Sequence, residues 1–76
     1  MVLYMKTARQ LERKQKLTPL RRSRTRFGLS QFAVAEMVGV EPSFMSLLEA
    51  GKRKPSLDVA QRLAKFYETT VEELFP

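Results

Sequence analysis

Nine of the chain's 14 lysines and arginines fall within the first 28 positions, where Glu12 is the one acid that opposes them. They are Lys6, Arg9, Arg13, Lys14, Lys16, Arg21, Arg22, Arg24 and Arg26, a local excess of +8, whereas residues 29–76 carry five cations against seven acids. Charge concentrated in this way suits a polyanion, because each phosphate neutralised by Lys or Arg releases condensed counterions. A solvated basic tail or a helix lying on a membrane surface has the same composition, so charge alone leaves the partner open. The other reactive side chains point away from catalysis. The 76 residues include no histidine and no cysteine. Disulfides are therefore excluded, and a zinc site would need an unusual all-carboxylate ligand set. Asp58, Glu72 and Glu73 fall at helix starts, where the helix dipole explains them, and the serines sit at cap positions with no base beside them. The expectation is a protein that binds rather than catalyses, with no cofactor and no metal.

The elements that must position this charge are short and well punctuated. Thr18-Pro19 is an N-cap followed by proline at the first helical position, opening a helix to about Phe27 that Gly28 ends. Leu20, Arg24 and Phe27 share its inner face. Ser30 caps a second helix, Gln31 to Val38, with Val34, Ala35 and Val38 as its inner stripe and Gly39 as its stop. Phe32 and Met37 lie off that stripe and are too apolar for a solvated face, so a cover over them is expected. A third helix begins around Pro42 and ends near Ala50, with Met45 and Leu48 on one face and Ser43 and Leu47 on the other. Lys52, Arg53 and Lys54 then make a basic loop before Pro55, which forbids helix on the residue preceding it. Ser56 caps a fourth helix to Tyr67, whose stripe is Leu57, Ala60, Leu63, Ala64 and Tyr67, with Phe66 at its margin. Thr70 and Glu73 are spaced as a capping box for a short fifth helix ending in Leu74 and Phe75.

The fold expected is all-α, a compact bundle of five short helices over residues 18–76. Residues 1–17 form a separate basic segment, either a helix docked on Phe32 and Met37 or a flexible arm. A chain of this length buries only about 60% of the surface its unfolded form exposes, so the core must be small. No apolar run approaches the roughly 20 residues that a membrane-spanning helix needs, and the charge in "MVLYMK" follows the apolar run instead of preceding it. A cytoplasmic protein is expected.

A capped helix, a glycine turn and a second helix is the layout of a helix-turn-helix. The segment "LRRSRTRFGLSQFAVAEMVGVEPSFMSLLEAGKRKPSLDVAQRLAKFYETTVEELF" resembles the Cro and lambda-repressor type, the XRE-like family of bacterial and phage regulators. The match covers residues 20–75, and "GLSQ", "GV", "LLEAGKRKPS" and "VEELF" fall in register together. The resemblance implies a transcriptional regulator in which the second helix bridges the DNA backbone and the third enters the major groove. Two copies would bind a near-palindromic site about one helical turn apart. By position, Ser30 and Gln31 are implied phosphate contacts, as are Lys52, Arg53 and Lys54 along the same strand. Family members often join the first helix to the end of the third through a buried ion pair, and Arg24 and Glu49 hold those positions.

The departure lies in the third helix. Where the family commonly places Gln, Arg, Lys or Asn, which bond adenine or guanine in pairs, this chain has Pro42, Ser43 and Leu47. Pro42 and Leu47 can pack on thymine methyls, Ser43 or Ser46 can give a single hydrogen bond, and Glu41 can accept from a cytosine amino group while repelling phosphates. DNA shape would supply further discrimination. A second reading gives much of the affinity to the basic N-terminal segment. A third makes the apolar side chains of Phe44 and Leu47 a protein-binding face, as in an antitoxin or a recruiting subunit on a helix-turn-helix scaffold. Phe66, Val71 and Phe75 exceed what a minimal core needs and are the candidates for a homodimer contact; ordinary core packing is the competing explanation.

Overall fold

The computed structural model describes residues 17–76, so the basic segment anticipated at the N-terminus lies, apart from Leu17, outside the described residues. Within them the secondary structure is helical throughout: α1 (Pro19–Phe27), α2 (Gln31–Val38), α3 (Pro42–Glu49), α4 (Leu57–Phe66) and α5 (Val71–Leu74). Each start has a local cause. The hydroxyl oxygens of Thr18, Ser30, Ser56 and Thr70 accept from the backbone N–H three residues on, at 3.2, 3.0, 3.2 and 3.1 Å. Each thereby satisfies one of the donors that a helix start leaves without an intrahelical partner. At Thr70 only this half of the anticipated capping box is formed. α3 is the exception: its N-cap, Glu41, makes no side-chain cap bond, and Pro42 at the first position sets the entry instead.

The core lies between the inner faces of all five helices. Leu20, Val34, Met45 and Leu63 have almost no solvent contact, and burying each contributes about 2 kcal/mol. Ala35, Val38, Leu48, Ala64, Tyr67 and Leu74 complete the cluster. Small residues at positions 35 and 64 let the helices approach closely enough for the larger side chains to interlock. α4 ends at Phe66, one residue earlier than anticipated, with Tyr67 as its buried C-cap.

Two residues assigned to inner stripes are not in the core. Leu57 is 68% exposed; it opens α4 and lines a surface groove with Val71 and Phe75 instead of entering the core. Val59, half-buried against the core, takes its place. Phe27 is 44% exposed because α1 ends there, beyond the filled core. Its ring stacks edge-on with Tyr67 at 5.2 Å and lies tilted 6.3 Å from Phe66, distances at which aromatic pairs attract.

Candidate nucleic-acid interface

α3 is anchored from below. Met45, Leu48 and Glu49 are buried along one side, leaving Glu41, Pro42, Ser43 and Ser46 exposed on the other. Phe44 and Leu47, expected to point outward, are half-buried. Phe44 packs against the core, and the Arg53 guanidinium lies 5.6 Å from its ring centroid, within cation–π range. The outward placement of Phe44 is therefore corrected: an eight-residue helix turned through 100° per residue has too narrow a polar face to expose every position off the inner stripe. Arg53 is consequently held over an aromatic ring while remaining exposed, as are Lys52 and Lys54 on either side.

Glu49, at the end of α3, is fully buried and organises the surroundings. Arg24 Nε donates to its Oε2 at 2.6 Å, and Arg24 Nη1 donates to the Leu29 carbonyl at 2.8 Å. Gln31 Nε2 donates to Glu49 Oε1 at 2.9 Å. The hydroxyl of Thr18 donates to the Glu49 carbonyl oxygen at 2.6 Å while also capping α1. A buried carboxylate must be met by charge and by hydrogen bonds together to be tolerated, and this one has both. Gln31, anticipated as a phosphate contact, thus turns its amide inward. Its placement ties the start of α2 to the end of α3, so Gln31 and the Lys52–Lys54 loop share one end of the exposed α3 face, and Glu41 stands at the other.

The turn between α2 and α3 is held by a residue that sequence reasoning passed over. Arg62 Nη1 donates to the Val38 carbonyl at 2.7 Å, and its Nη2 pairs with Asp58 one turn earlier on α4. That hydrogen bond, reinforced by the guanidinium charge, holds the Asp58 carboxyl below its usual range and raises Arg62. The i, i+4 spacing of Asp58 and Arg62 was a legible signal; the reach of Arg62 to another helix was not. Arg21, likewise missed, sits one turn before Arg24 on the same face, its Nε 3.5 Å from Glu49 Oε1.

Phe32 and Met37 on α2 are 62% and 67% exposed, and the cover expected over them falls outside the described residues. Phe66 packs with Phe27 and Tyr67, its ring 5.1 Å from that of Tyr67. Val71 and Phe75 instead line a groove of about 560 Å³, so the three residues grouped as a dimer contact divide between two places. Among the described residues no acidic cluster could hold a metal ion, and no helix is long and apolar enough to cross a membrane.

The helix-turn-helix domain family model matches residues 18–74. An uncharacterised HTH-type transcriptional regulator of Archaeoglobus fulgidus is 36% identical over 58 residues, which cover 76% of this chain and 83% of the relative. A second such protein from the same organism is 33% identical over 58 residues, covering 76% and 82%. No solved structure matches the chain significantly.

Proposed function

The chain belongs to the helix-turn-helix family of DNA-binding transcriptional regulators, which is not an enzyme family, and from that premise we propose that it acts as a repressor or controller on a near-palindromic operator. Two copies bind, each with α3 in the major groove. The observation that carries this reading is the exposed face of Pro42, Ser43 and Ser46, fixed to the core through Met45, Leu48 and Glu49. The N-terminus of α2, with Ser30 and Gln31, and the loop of Lys52, Arg53 and Lys54 supply the phosphate contacts at one end of that face. Pro42 and the exposed edge of Leu47 meet thymine methyls, and Ser43 or Ser46 gives a hydrogen bond. This is a weak direct code, so shape and flexibility of the site carry part of the discrimination.

Selection from a randomised duplex pool at low salt tests the reading. Enrichment of two half-sites about one helical turn apart is expected, with affinity falling steeply as salt rises. A pool without enrichment would remove the base-reading claim and leave non-specific binding. The exposed Phe32 and Met37 favour a second reading, a protein-interaction or antitoxin-type module on the same scaffold. It is distinguished by a stoichiometric partner that masks both residues while DNA selection yields nothing.

A further inference from the structure

Two donors approach one oxygen of the buried Glu49. Gln31 Nε2 holds Oε1 at 2.9 Å, and Arg21 Nε stands 3.5 Å from the same atom. Arg21 Nε is itself buried and has no hydrogen-bond partner among the described residues. An unpartnered buried donor on a cationic group is costly, more so than a neutral one. Its position is nevertheless poised: a shift of about half an ångström would bring it within ordinary bonding distance. The shorter contact to that oxygen is the one made by the Gln31 amide. Gln31 is also the residue whose position at the start of α2 suits a phosphate.

We propose that Arg21 and Gln31 exchange on Glu49 Oε1 when DNA binds. In the free protein Gln31 satisfies Glu49 and Arg21 waits. When a backbone phosphate reaches the N-terminus of α2, the Gln31 amide swings out to donate to it, and Arg21 Nε closes onto the vacated oxygen. The carboxylate stays satisfied throughout, and the donor left over in the free protein is bonded in the complex. Arg21 is thus a positioning residue: it stabilises the state in which Gln31 holds phosphate. The inference rests on the DNA-binding reading and adds to it a reason for the unbonded Arg21 Nε beside Glu49.

A double-mutant cycle separates this from simpler roles. Arg21→Met, Gln31→Met and the double variant are titrated by fluorescence anisotropy against one duplex at fixed low salt, below the melting temperature of every variant. Arg21→Met should weaken binding about fivefold in the Gln31 background, the worth of one hydrogen bond to a charged group in part-buried surroundings. In the Gln31→Met background it should have no further effect, because Arg21 can then bond Glu49 with or without DNA. Equal weakening in both backgrounds, with the salt slope reduced by about one, would identify Arg21 as a direct phosphate contact and overturn the exchange. A lower melting temperature with unchanged affinity would overturn it in favour of a purely structural role. Nitrogen–proton spectra of the wild type give a check that needs no variant: the Arg21 Nε–H signal should shift downfield and gain protection from solvent exchange only in the complex. A signal that does not respond to DNA overturns the exchange, whereas a wild-type protein that binds no duplex at low salt overturns the DNA reading itself.

Discussion

Arg24 and Glu49 share a bond of 2.6 Å, and Glu49 has no solvent contact. Replacing Arg24 by methionine keeps the bulk and leaves a carboxylate buried beside Gln31 and a half-engaged Arg21. Breaking such a pair from one side costs about 3–5 kcal/mol, a large part of the stability of a domain this small. Urea denaturation of Arg24→Met should record a loss of that order, and an unchanged midpoint would mean that Arg21 alone can sustain the charge. Tyr67 behaves differently. Its phenol is buried without a hydrogen-bond partner, and burial, with the negative charge of Glu49 adding to it and Arg24 opposing, pushes it up to about 12. An unfolded tyrosine titrates near 10. Between these values the folded chain holds a proton that the unfolded chain releases, so the stability of the fold is at its full value below about pH 10 and falls as pH rises toward 12. Tyr67→Phe should flatten that part of the stability profile relative to wild type. At neutral pH it should be neutral or slightly stabilising, because an unsatisfied hydroxyl is removed with little change of shape.

The turn between α2 and α3 sets how the exposed face is presented, and it depends on an element distant in sequence. Gly39 has φ +79, and a methyl group there would meet Arg62 Nη1 at 3.1 Å, whereas Gly28, at φ +69, has open space around the same position. Both Gly→Ala changes incur the left-handed strain of about 1 kcal/mol. Gly39→Ala must in addition displace the guanidinium that bonds the Val38 carbonyl. Its melting temperature should therefore fall further than that of Gly28→Ala, and equal losses would show that Arg62 gives way freely. These contacts also mark what the sequence could convey about the elements. Caps and glycine stops are local, so all five helices were legible to within about one residue of their ends. The stripes built on Val34, Met45 and Leu63 were legible because periodicity reports which positions share a face. Periodicity does not report how far the neighbouring helix extends, and for that reason Leu57 and Phe27 were placed inside. It also does not report which polar group a long side chain reaches. Arg62 crossing to Val38, Arg21 nearing Glu49 and Gln31 turning inward all follow from packing between helices, beyond the reach of spacing along one.

At the scale of the whole molecule, two surfaces must work together if two copies read one site. The groove lined by Leu57, Val71, Leu74 and Phe75 is bordered by Arg53 and Lys54; on α5, Glu72 is exposed, whereas Glu73 lines a separate cleft with Arg22 and Arg26. An apolar groove with a basic border can pair with its own copy across a two-fold axis if each copy offers α5, with the exposed Glu72, to the other's basic border. Such a contact would border Arg53 and Lys54, so those two would divide between the second copy and phosphate, while Lys52, which does not line the groove, stays free for phosphate. Phe66 belongs to the aromatic cluster with Phe27 and Tyr67, so Phe75 is the better probe of association. Phe75→Asp should convert a dimer to a monomer in sedimentation velocity and abolish the advantage of a two-half-site duplex over a single half-site. Because Phe75 is half-buried and its loss could loosen α5, Leu57→Asp is the companion change: its side chain is largely exposed, and an acid at the start of α4 is favourable to the helix. Both variants should still bind a single half-site as the wild type does. If both remain dimeric, the groove is not the contact between copies, and the exposed Phe32 and Met37 of α2 become the surface to test.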